Sequence, residues 1–341
     1  MKDSINAAIA GATGYIGLEL IKILAKHPKV KIKYLCAQKS LGQSITEFDS
    51  KIKNTQLPKI TKIAKIDWKK IDVIFTALPN GEAYKVAFIK PSNVKLIDLS
   101  ADFRLDSFNS YKKWYGINFK SNTLLNKSIY ALTEFSRKKI KNFNIISCPG
   151  CYPTSVQLPL LPLLEKKLIN YKNIIIDSKS GYSGAGKNIK KIFKHKNLFN
   201  SVSAYGVGSH RHMAEIDQEL SKKIKKVVNV FFTPHLIPMY RGILSTIYLE
   251  PNGNKNAKEI YNFLKKYHKK NYFVKIADFN KPINTGSVMN TNFCEISVCQ
   301  SRNKKKIIII STIDNLLKGG SGQAVQNMNV MFNVKESLGL V

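Results

Sequence analysis

Short apolar runs alternate with amphipathic helical patterns over the first 150 residues. Apolar side chains recur at helical spacing in residues 15–26 and 82–89, whereas residues 108–127 show no clear period and are predicted to be irregular. Strands that alternate with helices are typical of a parallel sheet covered by helices. The strand-like runs are residues 5–10, 30–36, 72–78, 94–99, 129–132 and 142–147.

The pattern changes after residue 173. Strand-like runs then dominate, and one helical stretch, residues 258–269, interrupts them. This pattern predicts a second domain of the α+β class, built on a mostly antiparallel sheet. Residues 151–167 read as a helix, but Pro159 and Pro162 should bend it or break it into two pieces. The runs of the second domain are residues 174–177, 227–233, 243–250, 294–299 and 306–311.

A glycine-spaced turn follows the first strand-like run. Gly11, Gly14 and Gly17 allow a tight turn, close approach of a pyrophosphate to the backbone, and an anion site at the start of the next helix. The spacing departs from G-x-G-x-x-G, so an ordinary glycine-rich turn stays open as an alternative. After the second run, where NAD enzymes usually have an acidic residue, the chain has Lys39 and Ser40, which favour the 2′-phosphate of NADP.

Composition and charge exclude several classes of protein. The 55 Lys and Arg residues against 22 Asp and Glu give a net charge of +33, but lysine is spread along the whole chain without a basic tail. We therefore expect neither nucleic acid nor a membrane as partner. Five irregularly spaced cysteines do not suggest a disulfide framework, no signal peptide is evident, and the longest apolar runs are too short for a membrane helix. These features predict a soluble protein of the cytoplasm.

Cys151 lies where a strand-like run meets a helical pattern. The unpaired N–H groups and the dipole at the start of a helix favour the thiolate, which is the nucleophilic form of cysteine. This position predicts that Cys151 carries the chemistry. From these residues alone, a buried and inert cysteine is an equal alternative.

Two further segments suit anionic ligands. Arg104 follows the fourth strand-like run, at the edge where open α/β sheets bind ligands, although an ion pair with Asp102 or Asp106 is the alternative. Residues 180–187 form a Ser/Gly loop that ends at Lys187, and its backbone N–H groups suit anion contacts. A plain flexible loop explains the same composition.

The segment from His210 to Glu215 places two imidazoles and a carboxylate within six residues. Such groups suit general acid and base catalysis. A His-x-His pair also occurs in metal sites, but no further ligands with suitable spacing lie nearby, so we expect no metal. Two surface histidines without a catalytic role are the alternative.

Seven segments, taken together, resemble the N-acetyl-gamma-glutamyl-phosphate reductases, a branch of the semialdehyde dehydrogenase superfamily. The resemblance runs nearly end to end, and seven matches in the right order are far more specific than any single motif. The segments are residues 11–17 (GATGYIG), 99–104 (LSADFR), 147–154 (SCPGCYPT), 180–186 (SGYSGAG), 208–212 (GSHRH), 234–239 (PHLIPM) and 314–319 (DNLLKG).

The resemblance implies roles for individual residues. Cys151 matches the nucleophile, His212 is the better candidate for the general acid and base with His210 as runner-up, and Glu215 orients the imidazole. The expected contacts to the dinucleotide fall on Gly11, Thr13, Gly14, Tyr15, Ile16, Gly17, Lys39, Ser40, Ser183, Gly184 and Asn315. The expected contacts to the substrate fall on Arg104, Ser180, Lys187 and His210.

The resemblance also implies an α/β fold and a reaction. Residues 1–150 and 314–341 would form a Rossmann-type NADP-binding domain, and residues 151–313 a catalytic and dimerisation domain. The implied activity is NADPH-dependent reductive dephosphorylation of N-acetyl-L-glutamyl 5-phosphate to the 5-semialdehyde through a cysteine thioester, in arginine biosynthesis. We expect a small acyl-phosphate substrate and a homo-oligomer, dimer or tetramer. An aspartate-semialdehyde dehydrogenase, or a basic binding protein on a degenerate Rossmann scaffold, are the alternatives.

Two positions depart from the family pattern. Ala214 stands where the family has proline, which leaves Glu215 in place on a less constrained backbone. Cys148 stands where the family usually has asparagine, and it creates a C-x-x-C motif with Cys151. We hypothesise that the Cys148 thiol resolves an oxidised Cys151 as a disulfide. A neutral, buried replacement is the alternative.

Overall fold

A computed structural model describes residues 4–53, 56–117, 122–187, 189 and 197–341. The chain divides into two compact units, of which the first comprises Met1–Pro149 and Gly320–Val341 and the second comprises Gly150–Gly319. The segment Gly320–Val341 therefore packs with the N-terminal half of the chain. Residues 314–319, which the sequence analysis grouped with that segment, lie in the second unit.

The strands of the described residues form two sheets. The first sheet contains β1 (Ile5–Ala10), β2 (Val30–Cys36), β3 (Ile60–Thr61), β4 (Val73–Thr76), β5 (Lys95–Asp98), β6 (Ser128–Tyr130) and β7 (Ile145–Ser147). The second sheet contains β8 (Ile175–Gly181), β9 (Ser203–Ala204), β10 (Phe231–Ile237), β11 (Ile243–Leu249), β12 (Val274–Ile276), β13 (Cys294–Gln300) and β14 (Ile307–Ile313).

The α-helices have the following bounds. They are α1 (Tyr15–Leu24), α2 (Glu82–Ile89), α3 (Phe108–Tyr115), α4 (Asn122–Asn126), α5 (Thr133–Ser136), α6 (Cys151–Glu165), α7 (His212–Ile224), α8 (Ala257–His268) and α9 (Gly322–Met331). Short 3₁₀ turns occupy Ile45–Glu47, Ile63–Lys65, Trp68–Lys70, Ile140–Asn142, Tyr182–Ala185, Leu198–Asn200 and Thr285–Ser287, and a π-helical turn occupies Leu317–Ser321. In the described part of the chain, no helix has the length and apolar character needed to cross a membrane.

The first unit is built on a fully parallel sheet with the strand order β3-β2-β1-β4-β5-β7-β6. The order reverses direction at β1, which pairs with β2 on one side and β4 on the other. Side chains alternate along β1, so that Ala7 and Ile9 enter one core while Ala8 and Ala10 enter the core on the opposite face. Both faces are buried, as in doubly wound α/β folds. The predicted Rossmann-type fold is confirmed.

The prediction that residues 108–127 are irregular is wrong for the described part of this segment, which contains α3 and α4. Helix α3 begins after Ser107, whose hydroxyl accepts the N–H of Ser110, and ends at Gly116 in the left-handed conformation (φ 71°). Tyr111 is buried and stacks on Tyr115 one turn later. Caps at both ends stabilise this helix. Most of its residues are polar, so the helical spacing of its apolar residues is hard to recognise in the sequence. Residues 118–121 lie outside the described residues.

The C-terminal helix α9 is buried along its whole length in the first unit. Its polar side chains are satisfied internally: Asn327 donates to the carbonyl of Ala131, and Gln326 donates to Glu134. The segment after α9 is held by Arg137, which makes two hydrogen bonds of 2.6 and 2.9 Å to the carboxylate of Glu336. The hydrogen bonds that Arg137 donates to the Glu336 carboxylate raise the pKa of Arg137.

The second unit is built on a mixed sheet in the order β12-β13-β14-β11-β8-β10-β9. The pairs β12–β13 and β8–β10 are parallel, and the other four are antiparallel. Helices α6 and α8 pack on one face of this sheet. The prediction of a mostly antiparallel sheet in a second domain is confirmed, although β9 and β12 gave no recognisable pattern in the sequence.

Helix α6 continues through both internal prolines, so the predicted break is absent. Pro162 lacks the N–H that would bond to the carbonyl of Leu158. His268 replaces that donor: its Nε2 lies 3.1 Å from the oxygen of Leu158, while its Nδ1 faces the amide nitrogen of Asn271 at 3.0 Å. Burial of every residue from Tyr152 to Leu164 supplies the remaining stabilisation.

Candidate active site

Cys151 is the first residue of α6, in the second unit, and its side chain is partly exposed. The residue before it, Gly150, is the N-cap, and its extended backbone (φ −65°, ψ 161°) is compatible with any side chain. Pro153 occupies the first turn, where a missing N–H costs no hydrogen bond. The sequence prediction of a thiol at a helix start therefore agrees with the structure. The N-terminal end of α6 favours a negative charge on Cys151.

Glu215 and His212 both contact Gly150. The N–H of Gly150 donates to Glu215 Oε2 at 2.9 Å, and this carboxylate is fully buried. His212 Nε2 lies 3.9 Å from Glu215 Oε1, which is a charge contact and too long for a hydrogen bond. A Cβ built on Gly150 would lie 2.5 Å from His212 Nε2, so the imidazole rests on the glycine itself. Glu215 thus hydrogen-bonds the residue before the cysteine, and its role in orienting the imidazole stays a prediction.

His210 has a different environment from His212. Its Nδ1 accepts the backbone N–H of His212 at 3.2 Å, which satisfies one of the free donors at the start of α7. Its ring packs against the rings of Tyr152, Tyr205 and Phe232. Burial, together with the nearby charge of Arg211, lowers the pKa of His210 to about 4. His210 is therefore neutral near pH 7 and helps to place His212.

A second polar cluster in this unit brings together four residues that the sequence analysis singled out. Asn315 Nδ2 donates to Ser183 Oγ at 2.9 Å, and its Oδ1 accepts the N–H of Gly242 at 2.6 Å. A Cβ on Gly184 would lie 3.1 Å from Ser180 Oγ and 3.7 Å from Asn315 Nδ2. These contacts place Ser180, Ser183 and Asn315 next to Gly184. A side chain at Gly184 would crowd Ser180. Lys187 is exposed at the end of the same loop.

Sequence reasoning missed two residues near this cluster. Arg241 pairs with the buried Asp314, with Nε 2.7 Å and Nη2 3.0 Å from the two carboxylate oxygens. This pair fixes the residue that precedes Asn315. Gly319 packs against the cysteine: a Cβ there would lie 2.7 Å from Cys151 Cβ. The scarcity of arginine in a lysine-rich chain was the available signal for Arg241, and Gly319 had only its place in the resemblance.

In the first unit, the glycine turn joins β1 to α1. A Cβ on Gly11 would collide with the carbonyl oxygen of Ala77, and a Cβ on Gly17 with the carbonyl oxygen of Gly11. Gly14 is the N-cap of α1, and no side chain in the described residues caps this end. The turn therefore presents backbone alone to a ligand at the start of a helix. Thr13 lies within the turn, and Tyr15 and Ile16 begin α1.

The other residues predicted to bind the cofactor or substrate in this unit differ in accessibility. Lys39 is exposed just beyond β2, and Ser40 has a left-handed backbone (φ 65°). Arg104 is buried, and its guanidinium donates to the carbonyls of Cys148 at 2.9 Å and Leu99 at 3.1 Å. Arg104 thereby joins the segments that follow β5 and β7. These bonds give Arg104 a structural role beside any contact to substrate.

Cys148 lies in the core of the first unit. Its thiol is 1% exposed, and Asn327 Nδ2 lies 3.6 Å from its sulfur. Burial raises the pKa of the Cys148 thiol to about 12, so the thiolate that would attack an oxidised partner is strongly disfavoured. These observations support the neutral replacement over the resolving thiol. Among the described residues, no group of three or more His, Cys, Asp or Glu side chains is arranged to hold a metal.

Known proteins resemble this chain over nearly its whole length. Two family models match in succession: the NAD binding domain of semialdehyde dehydrogenase over residues 6–143, and the semialdehyde dehydrogenase dimerisation domain over residues 151–315. The N-acetyl-gamma-glutamyl-phosphate reductase of Afipia carboxidovorans is 42% identical over 100% of this chain and 98% of its own. That of Thermoanaerobacter pseudethanolicus is 43% identical over 98% of both. The chain belongs to the N-acetyl-gamma-glutamyl-phosphate reductase family. The family resemblance noted from the sequence is confirmed.

Solved structures with the same fold are more distant members of the superfamily. Aspartate semialdehyde dehydrogenase II of Vibrio cholerae, complexed with ASA, superimposes with a TM-score of 0.72 at 18% identity, over 97% of this chain and 99% of that one. The aspartate semialdehyde dehydrogenase of Candida albicans, solved with NADP, gives a TM-score of 0.68 at 14% identity, over 96% and 98%. At these identities, the comparison supports the fold of this reductase family member and not its substrate.

Proposed function

We propose that the protein reduces N-acetyl-L-glutamyl 5-phosphate to N-acetyl-L-glutamate 5-semialdehyde with NADPH, a step in arginine biosynthesis. The observation that carries the proposal is the grouping at Gly150: a cysteine opens α6, a buried carboxylate holds the N-cap amide, and His212 rests on the glycine. The names of the relatives at about 40% identity supply the substrate. A reducing compartment, the cytoplasm, suits a mechanism that needs the free thiol of Cys151.

Cys151 is the proposed nucleophile. Its thiolate attacks the acyl-phosphate carbon, the bond from that carbon to the phosphate oxygen breaks, and phosphate leaves to give a thioester. NADPH, when bound, supplies the hydride that converts the thioester to a thiohemiacetal. The C–S bond then breaks, which returns the thiolate and releases the aldehyde. The N-terminal end of α6 stabilises the sulfur anion at the beginning and at the end of this sequence.

His212 is the proposed general acid and base. It takes the thiol proton before attack and returns a proton when the thiolate is regenerated. The buried Glu215, 3.9 Å from Nε2, favours the protonated imidazole that forms after the first transfer. His210 remains neutral because its Nδ1 accepts the N–H of His212 and its pKa is about 4. The structure thus favours His212 over His210 for proton transfer.

The first unit suits NADPH. The turn from Gly11 to Gly17 leads into the start of α1, which no side chain caps and where backbone N–H groups suit a pyrophosphate. Side chains at Gly11 and Gly17 would collide with backbone carbonyl oxygens, so the tight turn requires glycine at both positions. Lys39 and Ser40 stand at the end of β2 and would hold the 2′-phosphate. In the second unit, Ser183, Gly184 and Asn315 are the proposed contacts to the cofactor, and Ser180 and Lys187 are proposed contacts to the substrate. In the first unit, Arg104 is the proposed contact to the substrate.

A coupled NADPH oxidation assay tests the proposal. N-acetyl-glutamyl phosphate should be turned over with NADPH, aspartyl phosphate should react at least about 100-fold more slowly in kcat/KM, and NADH should be a poor donor. Lys39→Asp should narrow the preference for NADPH, because it replaces the cation expected at the 2′-phosphate by an anion. Faster reaction with aspartyl phosphate would assign the chain to the aspartate-semialdehyde dehydrogenases, and no oxidation of NADPH with either substrate would leave only the binding-protein alternative.

We also propose that the chain forms a homodimer through the open face of the second sheet. Phe231, Ile175 and Tyr248 are register partners on β10, β8 and β11, so they share one face. They are 64%, 46% and 40% exposed, opposite the face that α6 and α8 cover. Such an apolar row is typical of a self-association surface. The family model that matches this unit is described as a dimerisation domain.

Phe231→Asp should convert the dimer to a monomer, because it places a charge in the apolar row. Light scattering after gel filtration measures the molar mass. Phe88→Asp is the matched control, since Phe88 is 74% exposed in the first unit and lies outside this face. A monomeric wild type, or a Phe231→Asp variant with the wild-type mass, would contradict the assignment of this face.

A further inference from the structure

The first unit contains a cavity, lined by both lysines and apolar side chains, which the proposed reaction does not use. Its volume is about 340 Å³. Its walls come from the end of α2, the loop before β5, helix α4 and the start of β7. These are the amino-terminal ends of the parallel strands, whereas the glycine turn follows the carboxyl end of β1. The cavity is therefore separate from the edge at which open α/β sheets bind nucleotides.

Positive charge converges on this cavity without acidic partners. Lys90 and Lys127 line it, and no acidic side chain is among the described residues of its wall. Lys95 contacts the wall residue Asn144 and donates to its Oδ1 at 2.6 Å. Burial, together with repulsion from Lys95 and Lys127, lowers the pKa of Lys90 to about 8. A bound anion would relieve this repulsion.

Hydrogen-bond donors line the cavity as well. The hydroxyls of Ser92 and Thr123 and the ammonium group of Lys127 belong to its wall, and all three side chains are exposed and so accessible to a ligand. Because Asn144 accepts from Lys95 through Oδ1, its amide N–H groups are left to donate. The wall thus offers several donors and cations to one small volume.

The remaining wall is apolar. Phe88, Leu124 and Ile145 line it, and Phe88 is 74% exposed. A site with cations and hydroxyls on one side and apolar side chains on the other matches a ligand with the same two parts. We propose that this cavity binds a small organic oxyanion, a carboxylate or a phosphate joined to a short apolar group. The site is independent of the proposed reductase activity.

Isothermal titration of the wild type, saturated with NADP⁺ to fill the nucleotide site, tests the proposal. Phenyl phosphate and benzoate are the two probes, and benzyl alcohol is the uncharged control. At least one anion should bind with one-to-one stoichiometry, and the alcohol should not. The anion that binds more tightly identifies the preferred head group.

Variants locate the binding. Lys90→Ala/Lys127→Ala should weaken the better anion at least tenfold, whereas Lys304→Ala/Lys305→Ala, which removes the same charge from an exposed turn of the second unit, should leave it unchanged. Lys90 also donates to the carbonyl of Val94 and helps to hold the loop before β5, so its loss could disturb that loop. The single variant Lys127→Ala, at an exposed position, repeats the test and leaves the bond from Lys90 to Val94 intact. Lys127→Ala should weaken the anion and keep wild-type reductase turnover. Failure of both anions to bind the wild type, equal weakening in both double variants, or unchanged affinity in Lys127→Ala would overturn the proposal.

Discussion

Cys151→Ser should lower the rate of phosphate-dependent NADP⁺ reduction with N-acetyl-glutamate semialdehyde by at least about 1,000-fold, or about 4 kcal/mol of transition-state stabilisation. The hydroxyl of serine does not ionise near neutral pH, even at a helix start, so the variant lacks the nucleophilic anion that the proposed mechanism needs. The affinity for NADP⁺ should stay within about twofold of wild type, because the glycine turn lies in the first unit. Stopped-flow turnover and a fluorescence titration of the cofactor measure the two effects.

Cys148→Ser is the matched control for this variant. It removes a thiol three residues away in the sequence, but that thiol is buried and faces the side-chain amide of Asn327. A serine hydroxyl at this position can also accept a hydrogen bond from the N–H of that amide. Its turnover should stay within about threefold of wild type. A Cys151→Ser variant with a tenth of the wild-type rate would have lost only about 1.4 kcal/mol, and Cys151 would then not be the nucleophile. An equal loss in both variants would point to disturbed folding of the segment.

The sequence predicted the elements whose signals are local. The strand bounds of β1 and β2 and the helix bounds of α2 agree residue for residue with the predicted ranges. The two strands were readable because β1 is a buried, mostly apolar run and β2 alternates apolar residues with lysines. The continuity of α6 was not predictable, since it depends on His268, which lies 110 positions from the carbonyl of Leu158 that it serves. Helix α3 was missed although its cap signals, Ser107 and Gly116, were both readable.

In the candidate site, too, some features could be predicted from neighbouring residues, whereas others depend on contacts between distant parts of the chain. The position of Cys151 at a helix start follows from the neighbouring residues alone. The partner of Glu215 does not, because the carboxylate bonds to Gly150, 65 positions earlier in the chain. The neutrality of His210 also depends on burial by Tyr205 and Phe232, which no spacing in the sequence indicates. Tertiary contacts thus distinguish two histidines that lie two residues apart, and they support the proposal that His212 is the one that transfers protons.

Gly150→Ala should lower kcat by about 100-fold with little change in the affinity for NADP⁺. The backbone of Gly150 is extended and accepts alanine without strain, and the atoms nearest to the new methyl group belong to the imidazole of His212. The new methyl group would lie 2.5 Å from Nε2 and 2.8 Å from both Cδ2 and Cε1, which is well inside van der Waals contact. The ring must therefore move. A displacement of about 1 Å in a catalytic group is enough for a loss of this size.

The cause of that loss can be isolated by removing the ring. In the His212→Ala background the added methyl meets no imidazole, so Gly150→Ala should cause no further loss of turnover. In the wild type, the same clash should also lower the melting temperature, and this fall should largely disappear in the His212→Ala background. Such non-additivity is the signature of two residues in direct contact. Equal effects of Gly150→Ala in both backgrounds would mean that the glycine serves the N-cap hydrogen bond to Glu215 and not the placement of His212. Wild-type turnover in the single variant would show that the imidazole need not rest on Gly150 for catalysis.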